Sequence, residues 1–268
     1  MIITISTLIQ DIKKKKELQA VHDSFVEKEI NRVLTQKPAL QKILHLGNSR
    51  SREYKTIIKE VRARLRKVSG VFRSKHIKHI KGDTLETHAS TTERLSFYPR
   101  LYAQLFAITG TPKVILDLGC GLNPLSLPFM NIEKVTYYAY DINVQEIHVI
   151  SQFFTQGKKD HPFFIGKASI LDISDTTAVK HLPRADVCFL FKVTDALDRN
   201  KGHTASEQLI RAIPARYVIL SFSTKTLSGK PMTAPRRRWV EWMCQRIGYP
   251  YTILEFENEI FYVVRKAV

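Results

Sequence analysis

The residues most clearly able to do chemistry are an aspartate and two glycines that follow an apolar run. The sequence Val-Ile-Leu leads into Asp117, Gly119 and Gly121, which form the pattern Asp-x-Gly-x-Gly. Glycine lets the backbone turn sharply and lets a ligand approach it closely. The pattern therefore predicts a strand that runs into a ligand-binding turn, with Asn123 capping the next helix and Pro124 in its first turn.

Two positions narrow the choice of ligand. A dinucleotide-binding loop, Gly-x-Gly-x-x-Gly, would have a third glycine where this chain has Pro124, which disfavours binding of a pyrophosphate. A shorter loop can instead hold the adenosyl and methionyl parts of S-adenosylmethionine. Asp141 ends the next apolar run, 22 residues after Gly119, and an acid near this spacing can hydrogen-bond a ribose diol. The alternative is a turn without a ligand and an aspartate on the surface.

Strand-length apolar runs alternate with longer connecting segments after residue 113. Such near-continuous runs are typical of a parallel sheet covered on both faces. Residues 252–265 predict an antiparallel hairpin at the sheet edge, with its turn at Glu257-Asn258-Glu259. We therefore predict an α/β, doubly wound, Rossmann-like domain dependent on S-adenosylmethionine over residues 86–268. Its predicted parallel strands are 114–118, 135–140, 163–165, 187–191 and 218–222.

Residues 1–85 predict a helical extension that carries most of the positive charge. This segment has 20 Lys and Arg against 8 Asp and Glu, and the whole chain has a net charge of +17. Charge concentrated in this way favours a polyanionic partner, of which nucleic acid is the usual one. A surface that serves only solubility is the alternative. The spacing of apolar residues predicts one helix over 51–68.

That helix has an apolar face and a basic face, so it could pack on its neighbours and still present charges to phosphates. A solvated helix face without a partner is the alternative. The basic residues that we predict to bind RNA are Lys55, Lys59, Arg62, Arg66, Arg73 and Lys75.

A further helix is predicted between the two domains. Ser90 and Glu93 match the Ser-x-x-Glu capping box, which marks the start of a helix. Gly110 followed by Pro112 marks its end. The predicted apolar face of this helix includes Tyr98 and Tyr102.

Two segments of the chain carry a family resemblance. His88–Leu95, HASTTERL, and Leu116–Leu127, LDLGCGLNPLSL, closely resemble motifs of the 16S rRNA (guanine-N7) methyltransferases of the FmrO, Arm and Rmt types, which confer aminoglycoside resistance. Further matches lie at Phe191-Lys192 and at 221–227, and the resemblance extends over about residues 50–266. It implies a Rossmann-like methyltransferase domain with a helical extension that docks on the small ribosomal subunit.

The resemblance also implies roles for individual residues. Arg94 would pair with the methionine carboxylate, Gly119 would touch the methionyl backbone and Asp141 would hold the ribose. Phe191 and Lys192 would border the methyl-transfer pocket. The implied cofactor-binding positions are Phe72, His88, Ala89, Ser90, Thr91, Arg94, Asp117, Gly119, Gly121, Asp141, Ser169, Ile170, Phe191 and Lys192.

The chain departs from the family pattern at three places. Ser169 stands where an acidic residue usually contacts the adenine amino group, and Asp172 could substitute for it. Lys201 stands where a glutamine is expected, and residues 228–238 replace a glycine-rich segment expected to shape the target pocket. These departures leave open the same chemistry on another RNA or base atom. A non-catalytic RNA-binding relative is a separate alternative, against which the intact Asp117, Gly119, Gly121 and Asp141 argue.

Guanine N7 carries a lone pair and no proton, so we expect no catalytic base and no metal; positioning is the enzyme's task. His88 is then interpreted as lining the cofactor and Cys120 as a small buried filler. A paired target base would have to be flipped out of the stack. Four aromatic residues could stack on it, although core packing is favoured for each: Tyr98, Tyr102, Phe191 and Phe222. Arg236–Arg238 are either an RNA contact or part of a solvated loop.

The remaining predictions concern location and partners. No apolar run reaches the length of a membrane span, and the N-terminal charges follow the apolar stretch instead of preceding it, so neither membrane insertion nor export is predicted. Three scattered cysteines suit a reducing compartment. We expect a cytoplasmic monomer whose partner is 16S rRNA in the 30S subunit.

Overall fold

The computed structural model describes residues 3–42, 47–69, 89–160, 164–198, 202–226 and 229–266. The chain divides into two compact units, one of residues 1–74 with 142–144 and one of residues 75–141 with 145–268. The domain boundary predicted between residues 85 and 86 lies outside the described residues, so it stays a prediction. Each unit has its own hydrophobic core.

The first unit is helical, as predicted for the N-terminal segment. It contains α1 (Ile5–Lys13), α2 (Asp23–Gln36) and α3 (Arg52–Ser69). Short 3₁₀ helices lie at Lys16–Leu18 and Pro38–Gln41. The apolar face predicted for α3 is confirmed, because five of its residues are buried in the core of this unit: Tyr54, Ile57, Ile58, Val61 and Leu65.

The second unit is built on a seven-stranded sheet with the order β3-β2-β1-β4-β5-β7-β6. All pairs from β3 to β5 are parallel, whereas β7 is antiparallel to both β5 and β6. Strands β1, β2, β4 and β5 all end at the same edge of the sheet. This edge is called the carboxyl edge. The strands are β1 (Val114–Leu118), β2 (Val135–Asp141), β3 (Phe164–Ile170), β4 (Ala185–Phe191), β5 (Ala215–Ser223), β6 (Tyr251–Glu255) and β7 (Glu259–Arg265).

Helices cover both faces of the sheet, which explains why its central strands are mostly apolar. One face packs on α5, α6 and a 3₁₀ helix at Asn123–Met130, and the other packs on α7, α9 and α10. The helices of this part of the chain are α4 (Ala89–Thr92), α5 (Tyr98–Thr109), α6 (Val144–Asp160), α7 (Thr176–Lys180), α8 (Thr194–Leu197), α9 (Thr204–Ala212) and α10 (Arg238–Ile247).

These observations confirm the α/β, doubly wound prediction and the C-terminal antiparallel hairpin. The turn of the hairpin lies one residue earlier than expected, over residues 256–258, because Glu259 is already the first residue of β7 and is fully buried.

The single helix predicted from Ser90 to Gly110 is wrong in one respect, since the chain forms two helices here. Ser90 is the second residue of α4 and not the residue before its start, and turns over residues 93–97 separate α4 from α5. Pro99 has no N–H to donate to the carbonyl of Leu95, so α5 has to begin afresh with proline in its first turn. Gly110 ends α5 as predicted, donating its N–H to the carbonyl of Phe106.

None of the helices in the described ranges is both long and apolar enough to cross a bilayer.

Candidate functional site

The turn after β1 is fixed to the end of β2. Gly119 and Gly121 have φ values of +67° and +49°, which strain any residue with a side chain. The N–H groups of Gly119 and Cys120 donate to the carbonyl of Tyr140 at 2.8 and 3.0 Å. The N–H of Gly121 donates to Asp141 Oδ2 at 3.0 Å. The two glycines and the aspartate singled out from the sequence therefore meet at the carboxyl edge.

Asp117 lies beneath this turn and is almost completely buried. Its Oδ2 accepts hydrogen bonds from Asn123 Nδ2 at 2.9 Å and from the Tyr137 hydroxyl at 2.7 Å. Burial raises the pKa of Asp117 to about 7, although these two hydrogen bonds and Arg94 oppose the rise. The cap predicted for Asn123 is wrong, because its side chain binds Asp117 and the 3₁₀ helix has no side-chain cap. Pro124 does lie in the first turn.

The ends of β2 and β3 lie side by side at the same edge. Ser169 pairs in register with Tyr140, and Ile170 pairs with Asp141. Asp172 follows β3, and its Oδ1 accepts from the N–H and hydroxyl of Ser174 at 2.9 and 2.8 Å. Both candidates for an adenine contact thus lie near Asp141, and the choice between Ser169 and Asp172 stays a prediction.

Arg94 is buried against the start of β7. Its Nε and Nη2 donate to the two carboxylate oxygens of Glu259 at 2.8 and 2.7 Å, and both side chains are inaccessible to solvent. Burial opposes both charges, yet the attraction of Arg94 and Lys192 keeps the pKa of Glu259 below its ordinary value. The predicted role of Arg94, pairing with a methionine carboxylate, stays a prediction.

Lys192 joins this buried pair to a more exposed acid. It follows β4 with a φ of +58°, and its N–H donates to the carbonyl and hydroxyl of Ser221, each at 3.1 Å. Its Nζ binds the Glu93 carboxylate and lies 3.4 Å from Glu259 Oε2. Lys192 is 4% exposed and Glu93 is 45% exposed. The four charged groups alternate in sign from the core to the solvent.

Sequence reasoning missed Glu93 and Glu259 as members of this site. The local sequence pattern predicts Glu93 in a helix cap and Glu259 in a hairpin turn. The available signal for Glu259 was its place directly before the apolar run Ile-Phe-Tyr-Val-Val, since an acid that begins a buried strand needs a cationic partner.

The four aromatic candidates for stacking on a target base are all buried, which confirms core packing for each of them: Tyr98, Tyr102, Phe191 and Phe222. Phe191 also lies under the Arg94 guanidinium, 4.8 Å from ring centre to Cζ. Cys120 is buried as expected, and burial raises the pKa of its thiol well above the ordinary value. These buried side chains form part of the core that supports the site.

Only some of the remaining predicted site residues lie in the described part of the chain. Phe72, Arg73, Lys75 and His88 lie outside the described residues, as does Lys201. Ala89 and Ser90 begin α4, and Thr91 in the same helix is buried. In the part of the chain that the structure describes, no cluster of His, Cys, Asp or Glu side chains could hold a metal ion.

The four described basic residues predicted to bind RNA line one groove of the first unit, between α1 and α3. The groove has a volume of about 590 Å³ and is also lined by Lys14, Lys15 and Asp11. Lys55 and Lys59 are exposed. Arg62, in contrast, donates to the carbonyls of Asp11 and Ile12 at 2.6 and 3.2 Å, and Arg66 forms a two-bond ion pair with Glu17. Two of the four therefore also stabilise the unit.

The three consecutive arginines before α10 have different surroundings. Arg236 pairs with Glu241 at 3.0 Å, and Arg238 is the exposed first residue of α10. Arg237 lies over the Phe222 ring, and its N–H donates to the Tyr262 hydroxyl at 2.7 Å. The alternative of a merely solvated loop is therefore wrong for Arg237, which is packed against β5 and β7.

The fold and the site together define a class of protein. The order 3-2-1-4-5 of the parallel strands is that of a nucleoside-binding Rossmann sheet, with a glycine turn after β1 and an acid as the last residue of β2. The inserted antiparallel β7 and the absence of a third glycine separate it from the dinucleotide-binding type. This is the class of Rossmann-like methyltransferases.

Comparison with known proteins identifies the family within that class. The model of the family described as ribosomal RNA methyltransferase (FmrO) matches residues 20–263, and the chain belongs to this family. A 16S rRNA (guanine(1405)-N(7))-methyltransferase of Frankia casuarinae is 30% identical over 186 residues, which cover 68% of this chain and 62% of that protein. The enzyme of the same name from Proteus mirabilis is 27% identical and is covered over 64% of its length. The matched regions thus span less than two thirds of these relatives.

Solved structures agree with the fold. The 16S rRNA methyltransferase RmtF, solved in complex with S-adenosyl-L-homocysteine, superposes with a TM-score of 0.73 at 20% identity and full coverage of both chains. The 16S rRNA methylase ArmA superposes with a TM-score of 0.56 at 27% identity over 69% of this chain and 90% of ArmA.

Proposed function

We propose that this protein transfers a methyl group from S-adenosylmethionine to guanine N7 of 16S rRNA. The observation that carries the proposal is the glycine turn tied to Asp141 at the carboxyl edge, in a chain that belongs to a ribosomal RNA methyltransferase family. The relatives named above act on guanine N7 of 16S rRNA according to their names, and RmtF was solved with the product form of this cofactor.

The residues at the carboxyl edge fit this cofactor. Asp141 accepts a backbone N–H and lies where a ribose diol would meet a carboxylate. Asp117 is a buried carboxylate beneath the turn, and Arg94 and Lys192 are the cations that a methionine carboxylate would bind, in competition with Glu259 and Glu93. The turn itself needs glycine at position 119, because a Cβ there would lie 2.8 Å from Val193 Cγ2.

When bound, the cofactor supplies a methyl group that is open to attack by a lone pair. Guanine N7 already presents a lone pair in the ring plane, so no side chain has to remove a proton. The work of this chain is then to hold the base in line and to exclude water, which contributes several kcal/mol. Glu93 is the most exposed of the four alternating charges, and its carboxylate, held by Lys192, places an acceptor at the mouth of the site.

The first unit fits the role of docking on the ribosomal subunit. The groove between α1 and α3 exposes lysines that suit phosphate contacts, which would offset the few kcal/mol needed to flip a base. We propose the assembled 30S subunit as the substrate, a monomer as the acting form and aminoglycoside resistance as the consequence. The cytoplasm, where ribosomal subunits are found, is then the place of action.

The test is a methylation assay on unmethylated 30S subunits with labelled S-adenosylmethionine, followed by borohydride–aniline cleavage and primer extension across the decoding site. We expect label in 16S rRNA and a strong stop at one decoding-site guanine. Asp141→Asn should abolish the label. Asp186→Asn is a matched control, because Asp186 accepts the N–H groups of Lys113 and Val114 at the opposite edge of the sheet.

The other outcomes separate the alternatives left open by the sequence. Label without the stop would keep the methyltransferase and move the target to another RNA position or base atom. The segment around Arg236–Arg238 would then be examined first. No label together with no binding of S-adenosylmethionine in calorimetry would contradict the enzyme and favour a non-catalytic RNA-binding relative.

A further inference from the structure

Helix α10 exposes a tryptophan that belongs to no core. Its inner face packs on the sheet through Val240, Met243 and Cys244, which are all buried. Trp242 points the other way and is 62% exposed, more than any other large apolar side chain in the described ranges. An indole exposed to this extent offers a large apolar surface that a partner could cover.

The surroundings of Trp242 are positively charged. Arg238 and Arg246 lie four residues before and after it, so they share its face of the helix. Arg246 is 61% exposed, whereas Glu207, with which it pairs, is 21% exposed. Arg236 is 53% exposed and its partner Glu241 is 16% exposed. The guanidinium groups project into solvent and the carboxylates are recessed, so a ligand meets mainly positive charge.

The position of the helix relates this face to the sheet. Strand β6 runs parallel to β5, because both are antiparallel to β7. The connection through α10 therefore starts at the carboxyl edge and returns to the opposite one. Arg237 fixes the start through its contacts with Phe222 and Tyr262 at that edge. The exposed face of α10 thus begins at the carboxyl edge of the sheet, the edge at which the glycine turn lies.

We propose that this face of α10 binds RNA, with an unpaired base stacked on Trp242 and flanking phosphates bound by Arg238 and Arg246. A single indole offers a π-face that accepts any base, and guanidinium groups on both sides suit the backbone of the same strand. A second copy of the chain would bring the same arginines together, so charge disfavours self-association through this face. The surface is separate from the methyl-transfer site and does not depend on the proposed reaction.

Fluorescence tests the proposal directly, because the chain has only two tryptophans. In the full-length Trp239→Phe variant, Trp242 is the sole indole. A single-stranded RNA of about 12 nucleotides should quench its emission. In the otherwise wild-type protein, Trp242→Ala should weaken binding of this RNA by about 5-fold to 100-fold, whereas Trp242→Tyr should retain most of the affinity. Arg238→Gln should lower the slope of log affinity against log salt by about 0.7.

Two results would overturn the proposal. One is unchanged RNA affinity in Trp242→Ala, whether or not Trp239→Phe folds well enough for the quenching experiment. The other is a Trp242→Ala protein that binds intact 30S subunits more weakly but binds protein-free 16S rRNA like the wild type, which would make the partner a ribosomal protein. Thermal unfolding serves as the control for folding, and the variant should melt with the wild type because the indole is exposed.

Discussion

Arg94 and Glu259, 165 residues apart in the sequence, form a two-bond ion pair that is sealed from solvent. The pair joins the turn after α4 to the first residue of β7, and Lys192 reaches the same carboxylate from the end of β4. Three segments of the second unit therefore meet at one buried charge cluster.

Removing one partner of this pair should destabilise the protein severely. Glu259→Ala leaves a buried guanidinium without its carboxylate, and we expect a loss of about 3–5 kcal/mol in the free energy of unfolding, measured with urea. Arg100 and Glu257 provide a matched control, because they form the same kind of pair but are each more than half exposed. Glu257→Ala should change the free energy of unfolding by less than about 1 kcal/mol. Equal losses for the two variants would contradict the importance of burial.

Asp117 should make stability fall as the pH rises. Its pKa is about 7 in the folded protein and about 4 in the unfolded chain, so between these values the unfolded state binds fewer protons. The stabilising effect of the protonated form is complete below pH 4 and is lost between about pH 4 and 7. In Asp117→Asn, the amide oxygen would accept the same two hydrogen bonds, and the side chain would not titrate.

Unfolding of the Asp117→Asn protein and the wild type, measured without cofactor from pH 4 to 8, checks this prediction. Relative to the wild type, the free energy of unfolding of the variant should rise by on the order of 2–4 kcal/mol between pH 4 and pH 7. This difference should persist above pH 7. Parallel curves for the two proteins would show that the Asp117 carboxylate does not titrate between the two states.

The turn after β1 should tolerate a methyl group poorly. In Gly119→Ala the new Cβ would lie 2.8 Å from a methyl carbon of Val193, and the positive φ would strain the backbone as well. We expect the free energy of unfolding to fall by about 2–4 kcal/mol. Gly248→Ala is the control, since Gly248 also has a positive φ but nothing lies within 4 Å of the added atom. That variant should lose about 1–2 kcal/mol. Adding Val193→Ala should restore part of the stability of Gly119→Ala, and no restoration would count against a steric cause.

Two neighbouring basic residues of α3 should have different effects. Lys59→Ala should leave the free energy of unfolding unchanged within about 0.5 kcal/mol. It should lower the slope of log affinity for RNA against log salt by an amount that corresponds to about one released counterion. Arg62→Ala should destabilise the first unit by about 1.5–3 kcal/mol, because its guanidinium binds two carbonyls at the end of α1. Urea unfolding and RNA titrations at several salt concentrations separate the two effects. Identical behaviour of the two variants would contradict the distinction.

Much of the fold could be predicted because the relevant signals are local. The near-continuous apolar runs at β1 and β4 correctly indicated buried parallel strands, and the helical spacing of apolar residues located α3 to within a residue at each end. The glycine turn and Asp141 were also found, since two positive-φ positions and an acid at the end of a strand leave a readable pattern.

What escaped prediction depends on contacts between distant segments. Ser90 and Glu93 match a capping box, but Glu93 binds Lys192 instead, and the helix is broken before Pro99. Asn123 matches a helix cap, but its amide binds the buried Asp117. In each case a local propensity of about 1 kcal/mol lost to the larger requirement of pairing a buried charge.

The direction of β7 determines which part of the site can fold last. Because β7 runs against the other strands, it is its first residue, Glu259, that reaches the carboxyl edge. During synthesis, Arg94 leaves the ribosome 165 residues before its partner, an interval of about 10–30 s at ordinary rates of translation. The turn after β1 can form early, but its charged surroundings are completed only late. The charged surroundings of the turn therefore cannot form before Glu259 has been synthesised, however early the turn itself folds.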